Sequence, residues 1–451
     1  MRERWSGRVG FILANVGAAI GLGSIWKFPY EVGANGGGAF VFFYLAGLIL
    51  IVWPLVLTEF AIGRRGREDA AGSILVVSKA NGASRHWALI GSLGIITGFL
   101  ILSFYSVIGG WTIAYAVDAI HVGLPGADAL QVRARFEALL ASPVKMVFYH
   151  ALFMTIAALI VARGIARGIE AASKVLMPVL IALIVTLAIY SSIEGDTAAT
   201  LRFLFAIDPA KVTARAALEA LGLGFFSIGV GLGVMITYAA YAGEMINLRE
   251  VALVTVEGDT AVSFIAGFAI FPIVFANGLD PSSGPGLLFV TVPLAFAAMP
   301  FGTVASAGFF VLLFVAAIAS AMSMLELSVA WVERALGWNR RHATVATALA
   351  AWLLGLATVF SFNFWARWFP LSGLRGFEQA TLFDLTDHLT SNLLLPAGGF
   401  GLSILAGWII SERWLDAELG LGRRSGTLLR ALLRYVVPAA IAGVMLAPYF
   451  V

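Results

Sequence analysis

Residues 11–30 read FILANVGAAIGLGSIWKFPY, apolar enough to sit in a membrane, yet with Gly17, Gly21 and Gly23 inside seven positions and Ser24 and Pro29 just after. A glycine in a helix interior costs about 1 kcal/mol relative to alanine, so three in close order predict a broken helix. In lipid, a break frees N–H and C=O groups that must find partners. The usual solution is to line a buried polar cavity, where the half-helix ends hold ions and charged groups.

A second stretch of this kind lies far downstream. Residues 221–233 read LGLGFFSIGVGLG, and Gly229, Gly231 and Gly233 again interrupt an apolar run. Close helix packing through small residues is the alternative explanation for either stretch alone. Two broken spans in corresponding places point instead to a transporter built from inverted repeats. Composition agrees: 60% of the 451 residues are hydrophobic, 12% are charged, and the mean hydropathy is +0.93. That is the composition of an integral membrane protein whose partner is the bilayer. The absence of cysteine excludes disulfides and thiolate chemistry, and a net charge of +3 gives no case for nucleic acid.

A spanning helix needs about 20 mostly apolar residues. Eleven segments qualify, the sixth only with both its halves: 9–35, 38–64, 87–121, 144–161, 169–193, 214–243, 249–277, 303–334, 342–362, 381–410 and 427–450. The first span is expected to be retained, because no small-residue cleavage site follows it. Most Lys and Arg, among them Arg64, Arg65, Arg67, Arg163, Arg167, Arg340 and Arg341, fall on the side of the N-terminus. By the positive-inside rule that side is cytoplasmic, and eleven spans then put the C-terminus outside. Two outer loops look structured. One carries the helical run DALQVRARFEALL, residues 128–140. The other, residues 278–300, is either a hairpin dipping into an outer vestibule or a packed loop. His86, His121, His150, His342 and His388 all fall near span ends in this reading. None is spaced with carboxylates as a metal or triad site requires, so an intramembrane enzyme is a remote alternative.

Several pieces together resemble the neurotransmitter:sodium symporter family. They are GAAIGLGSIWKFPY with NGGGAF (residues 35–40), PLVLTEFAIGR (54–64), FFSIGVGLG followed by TYAAY (237–241), and SAMSMLE (320–326). The resemblance runs over nearly the whole chain and implies an all-α polytopic fold. Residues 1–193 would form the first five-helix half and 214–410 the second, inverted half. Helices 1 and 6 would be unwound at mid-membrane, and residues 427–450 would add an eleventh helix. It also implies a bacterial member in the inner (plasma) membrane.

The resemblance further implies a site, residue by residue. The carboxylate of an amino acid would meet the free N–H groups of Leu22 and Gly23, where the half-helix dipole is positive, and the hydroxyl of Tyr105. Its ammonium would meet carbonyls around Phe226, Ser227 and Ala18. Ile101, Tyr105, Phe226, Gly229, Leu232, Ser320 and Met324 would line the side-chain pocket. That lining is mostly apolar and holds no fixed countercharge, which favours neutral, mainly apolar L-amino acids over small neutral amines. One or two sodium ions are implied. The first site maps to Ala19, Ser24, Ser227 and Asp259. The second maps to Gly17, Ile20, Ala316 and Ser320, with Ala319 standing where a further oxygen-bearing side chain is usual. Lys27 and Asp387 take the places of an outer ion pair, and Arg2, Trp5 and Tyr241 match an inner latch with Glu333 as its acid. Glu59 and Glu326 are intramembrane acids and functional suspects, with a hydrogen-bonding role expected for each.

The activity implied is sodium-coupled symport by alternating access. A sodium-independent or proton-coupled exchanger of the same fold is the alternative. Asp259 carries the sharpest expectation. A fixed carboxylate at the first sodium site balances the incoming positive charge, so chloride is not needed. The empty carrier then takes up a proton there, giving proton antiport. The competing role for Asp259 is a plain cap at the start of the seventh helix.

Overall fold

In the computed structural model, which describes residues 3–124, 128–281 and 286–450, the described residues form helices and connecting turns with no strand. Among the described residues, nine helices are long and apolar enough to cross a membrane: Gly38–Gly66, Arg85–His121, Pro143–Val161, Ile165–Glu194, Leu248–Ala276, Gly302–Leu336, Arg340–Ser361, Leu382–Ile409 and Arg423–Leu446. The other two expected spans are the glycine-interrupted ones. The first consists of Arg8–Ala19 and Gly23–Ala34, bent by 49° at the break. The sixth consists of Ala214–Ile228 and Val234–Ala240.

Local backbone chemistry explains both breaks. In the first span Ile20 leaves the helical region (ψ 108°) after closing the last turn on the Val16 carbonyl. In the sixth, Gly229, Gly231 and Gly233 all have positive φ (70°, 93° and 85°), a region glycine enters without the Cβ penalty other residues meet. Gly231 is also bound by space. A Cβ there would lie 2.6 Å from the Gly399 nitrogen on the tenth span.

The two loops that looked structured are helical where described. Ala129–Leu140 starts on an Asp128 cap. Leu287–Ala297 is a short apolar helix packed on the bundle: Phe289 lies among Trp111, Tyr115, Phe136 and Phe310, with ring centroids 5.2–5.9 Å away. Pro281, just before it, closes on Gly33 at the end of the first span. Residues 125–127 and 282–285 lie outside the described residues.

The middle of the bundle is where the two breaks meet. A Cβ on Gly23 would fall 3.0 Å from the Ser227 Cα, so the broken backbones touch. The third and eighth spans pack beside them and close the site laterally.

Candidate functional site

Each break leaves helix ends with unspent hydrogen-bonding groups. The first half-helix stops at Ala19, so the last-turn carbonyls of Gly17, Ala18 and Ala19 have no onward helical partner. On the far side of the break, the Leu22 N–H is 3.2 Å from the Tyr105 hydroxyl, to which it donates. In the sixth span, Gly229 N–H closes on the Phe225 carbonyl, and the carbonyls of Phe226, Ser227 and Ile228 face the break. The centre thus presents donors on one side and acceptors on the other, the arrangement a zwitterion needs.

All eleven residues expected to hold substrate (Ala18, Leu22, Gly23, Ile101, Tyr105, Phe226, Ser227, Gly229, Leu232, Ser320 and Met324) line a single cavity of about 50 Å³. Its lining also includes Gly21, Ile228, Val234, Ser323 and Leu395, which sequence reasoning did not pick. Above it opens a vestibule of about 390 Å³ lined by Lys27, Glu31, Arg215, Glu219 and His388. Phe226 belongs to both spaces and is the partition between them. A solute passing from vestibule to cavity has to displace that ring.

The residues expected at the first cation site gather around Asp259. Its buried carboxylate accepts from Ser24 Oγ, from Ser227 Oγ at 2.9 and 3.0 Å, and from the Tyr44 hydroxyl at 3.3 Å. The two serine oxygens are 3.2 Å apart. A hydroxyl that gives its proton to a carboxylate keeps lone pairs for a cation, so this set suits a hard ion that prefers oxygen. The capping role is overturned. The helix starts at Leu248 on an Asn247 cap that accepts from Glu250 N–H, and Asp259 is buried well inside it. Tyr44 was missed. A tyrosine in the apolar run FVFFYLAG was the available signal, since a phenolic hydroxyl in lipid needs a partner.

The second cation site fits less well. Ser320 Oγ lies 3.2 Å from the Ile20 carbonyl and 3.4 Å from that of Ala18, which places Ala18 against a hydroxyl as well as on the cavity wall. Beside Gly17, a Cβ would be 3.1 Å from the Met177 sulfur and 3.6 Å from the Ala319 methyl. One wall is therefore a thioether and a methyl. Ala316 is buried on the eighth span and offers only its backbone.

At the outer side Lys27 and Asp387 are not joined. The Lys27 ammonium sits 4.1 Å from the Phe226 ring centroid, a cation–π position over the lid. Asp387 instead accepts from Ser391 Oγ one turn along its own helix, at 2.8 Å. At the N-terminal end, Trp5 Nε1 donates to the Tyr238 carbonyl (2.9 Å) and Tyr241 donates to Glu326 Oε1 (2.9 Å). Arg340 forms an ion pair with the same Glu326. The buried acid at this end is Glu326, and Glu333 is 3.2 Å from Arg340 at the rim. Arg2 lies outside the described residues. Glu59 accepts the Gly231 N–H at 2.7 Å, so it braces the sixth-span break from the second span.

His150 needs a correction. It is eight residues into Pro143–Val161, with no exposure to solvent, rather than near a membrane end.

A family model described as the sodium:neurotransmitter symporter family matches residues 2–138 and 130–364. The uncharacterized sodium-dependent transporter YhdH of Bacillus subtilis (strain 168) is 36% identical over 447 residues, covering 98% of this chain and 97% of that protein. The sodium-dependent dopamine transporter of Bos taurus is 26% identical, over 97% of this chain and 67% of its own. Among solved structures, MhsT in complex with L-phenylalanine matches with a TM-score of 0.90 at 39% identity, covering 99% of this chain and all of that one.

Proposed function

The chain belongs to the sodium:neurotransmitter symporter family, and from that premise we propose that it carries neutral, mainly apolar L-amino acids together with sodium by alternating access. The observation that carries this reading is the single cavity between two helix breaks. It has helix-end N–H groups and Tyr105 at one side, helix-end carbonyls at the other, and an otherwise largely apolar wall. Among the described residues, no charged side chain lines the cavity. An acidic or basic substrate side chain would be desolvated there without a partner, at a cost of several kcal/mol by general estimates for buried ions. MhsT, with its bound L-phenylalanine, supports the same substrate class by likeness.

In this reading the chain lies in the plasma membrane with its N-terminus in the cytoplasm and its C-terminus outside. The halves 1–193 and 214–410 move against each other about the two breaks. Phe226 with Lys27 over it closes the outer path, and Trp5, Tyr241, Glu326 and Arg340 close the inner one.

The test is uptake of labelled L-leucine and L-phenylalanine into proteoliposomes. Wild type should accumulate label only with an inward sodium gradient. Tyr105→Phe removes a hydroxyl that meets the carboxylate. Loss of one partner of a charged hydrogen bond costs about 1.5–3 kcal/mol, so the apparent affinity should fall roughly tenfold or more. Uptake that ignores sodium, or a Phe variant with the wild-type concentration dependence, would overturn the assignment.

The second cation site gives a separate expectation. Its oxygen set is short on the side of Ala319 and Met177, so sodium binds there weakly in the native chain. Ala319→Thr adds a hydroxyl beside Ser320. The sodium dependence of uptake should become steeper and its midpoint lower. An unchanged sodium curve would mean that the site is already complete or that sodium does not use it.

A further inference from the structure

His150 is a titratable side chain buried at mid-span that the transport site does not use. Its Nε2 lies 2.9 Å from the Ser106 hydroxyl on the third span. That hydroxyl also donates to the Ser103 carbonyl at 3.1 Å. A hydroxyl has one proton to give, so the two contacts coexist when His150 Nε2 carries the hydrogen and Ser106 accepts it. The imidazole has no freedom to leave. A Cβ at Gly355 on the ninth span would fall 2.5 Å from His150 Cε1 and 2.4 Å from the Ser103 carbonyl oxygen. On the third span, a Cβ at Gly110 would fall 2.8 Å from the His150 backbone nitrogen. Three helices thus close on this one ring, with the Trp352 ring 6.1 Å away, centroid to centroid. Among the described residues, no carboxylate or cation hydrogen-bonds to the ring.

Ser106 follows Tyr105 directly. Consecutive residues of a helix point about 100° apart. Ser106 faces the fourth span while Tyr105 faces the cavity and receives the Leu22 N–H. Fixing Ser106 therefore fixes the rotation of the third span at the residue where its hydroxyl meets the break. We infer that His150 is a positioning residue for the binding site: by holding Ser106 it sets the Tyr105 hydroxyl in register with the Leu22 N–H, where a substrate carboxylate docks. A histidine suits this post because it supplies a directed N–H from a rigid ring, and a buried ring of that size also fills the gap that Gly355 leaves.

This inference rests on the amino-acid reading of the cavity, and the experiment separates the two. Binding of labelled L-leucine and L-phenylalanine is measured in detergent at fixed sodium for wild type, His150→Leu, His150→Gln, Tyr105→Phe and the His150→Leu/Tyr105→Phe double variant. His150→Leu keeps bulk and loses the donor, so affinity should fall roughly tenfold, the scale of a lost buried hydrogen bond. His150→Gln restores a donor at a similar reach and should recover most of the affinity. In the Tyr105→Phe background, His150→Leu should have no further effect, because the hydroxyl it positions is gone. Wild-type affinity in His150→Leu, or the same loss in both backgrounds, would overturn the inference and leave His150 a packing residue. Should His150→Leu not fold, Ser106→Ala removes the other partner of the same bond and is read in the same cycle. A wild-type protein that binds neither probe would instead sink the amino-acid reading, and this inference with it.

Discussion

Arg340→Ala is expected to destabilise the protein by about 3–5 kcal/mol, the usual cost of breaking a buried ion pair from one side. Glu326 has no exposure to solvent, and Arg340 forms its ion pair. The guanidinium also donates to the Val161 carbonyl through Nε and Nη2, each at 3.0 Å, and reaches Glu333 at 3.2 Å. Removing it leaves three polar groups without this partner at the end of the bundle that carries the N-terminus. Tyr241 alone would then face Glu326. Glu326 belongs to the same latch as Trp5, so the loss should also favour opening on that side. The expected result is a much lower melting temperature in detergent. Pairing Arg340→Gln with Glu326→Gln should be milder than Arg340→Ala alone, since it leaves no stranded charge. Equal damage in the two would show that the arginine acts through packing along its stem rather than through the charge.

How far the sequence reached depended on whether a residue's role is local. The two helix breaks were legible because glycine and proline act on their own backbone, and every span was placed within a few residues of its observed ends. The largest discrepancies, four residues each, were at the fifth span, which starts at Ile165 instead of 169, and at the eleventh, which starts at Arg423 instead of 427. Motif likeness then brought the cavity residues together. Roles set by a partner far along the chain were not legible. Arg340 sits in GWNRRHA just past a span end, where a charge looks like a solvated rim residue, and only packing shows it turned inward onto Glu326. Asp387 and Lys27 occupy the expected helices, but side-chain direction decides whether they meet, and a serine one turn away satisfies Asp387 first. His150 was misplaced because distance from a span end was taken for depth. Burial by the third and ninth spans, through Gly110 and Gly355, is a property of three helices together.

Asp259→Asn should have the largest effect on coupling. Among the described residues, Asp259 is the only acidic or basic side chain within the cluster of Ser24, Ser227 and Tyr44, so the substitution removes the cluster's fixed negative charge while preserving its shape. Replacing a charged partner by a neutral one costs about 1.5–3 kcal/mol, and the apparent sodium affinity should fall roughly ten- to hundredfold. The same charge bears on anions and protons. A zwitterion plus a sodium ion brings net positive charge into a medium where uncompensated charge is expensive. With Asp259 ionised the balance is internal, so wild-type uptake should be equal in chloride and in gluconate. On the return stroke the cation is gone, and three hydroxyl donors are a poor substitute for it around a buried carboxylate. Binding a proton neutralises the group at the smallest structural cost, so each empty return is expected to carry a proton the opposite way to substrate. Asparagine neither needs nor carries that proton. Proteoliposomes loaded with a pH dye should therefore report lumenal alkalinisation during wild-type uptake and none above background with Asp259→Asn. The variant should also gain from chloride, since an anion can now supply what the side chain no longer does. Chloride-dependent transport by wild type, or undiminished proton flux in the asparagine variant, would remove Asp259 from both roles and leave it a buried acceptor for three hydroxyls.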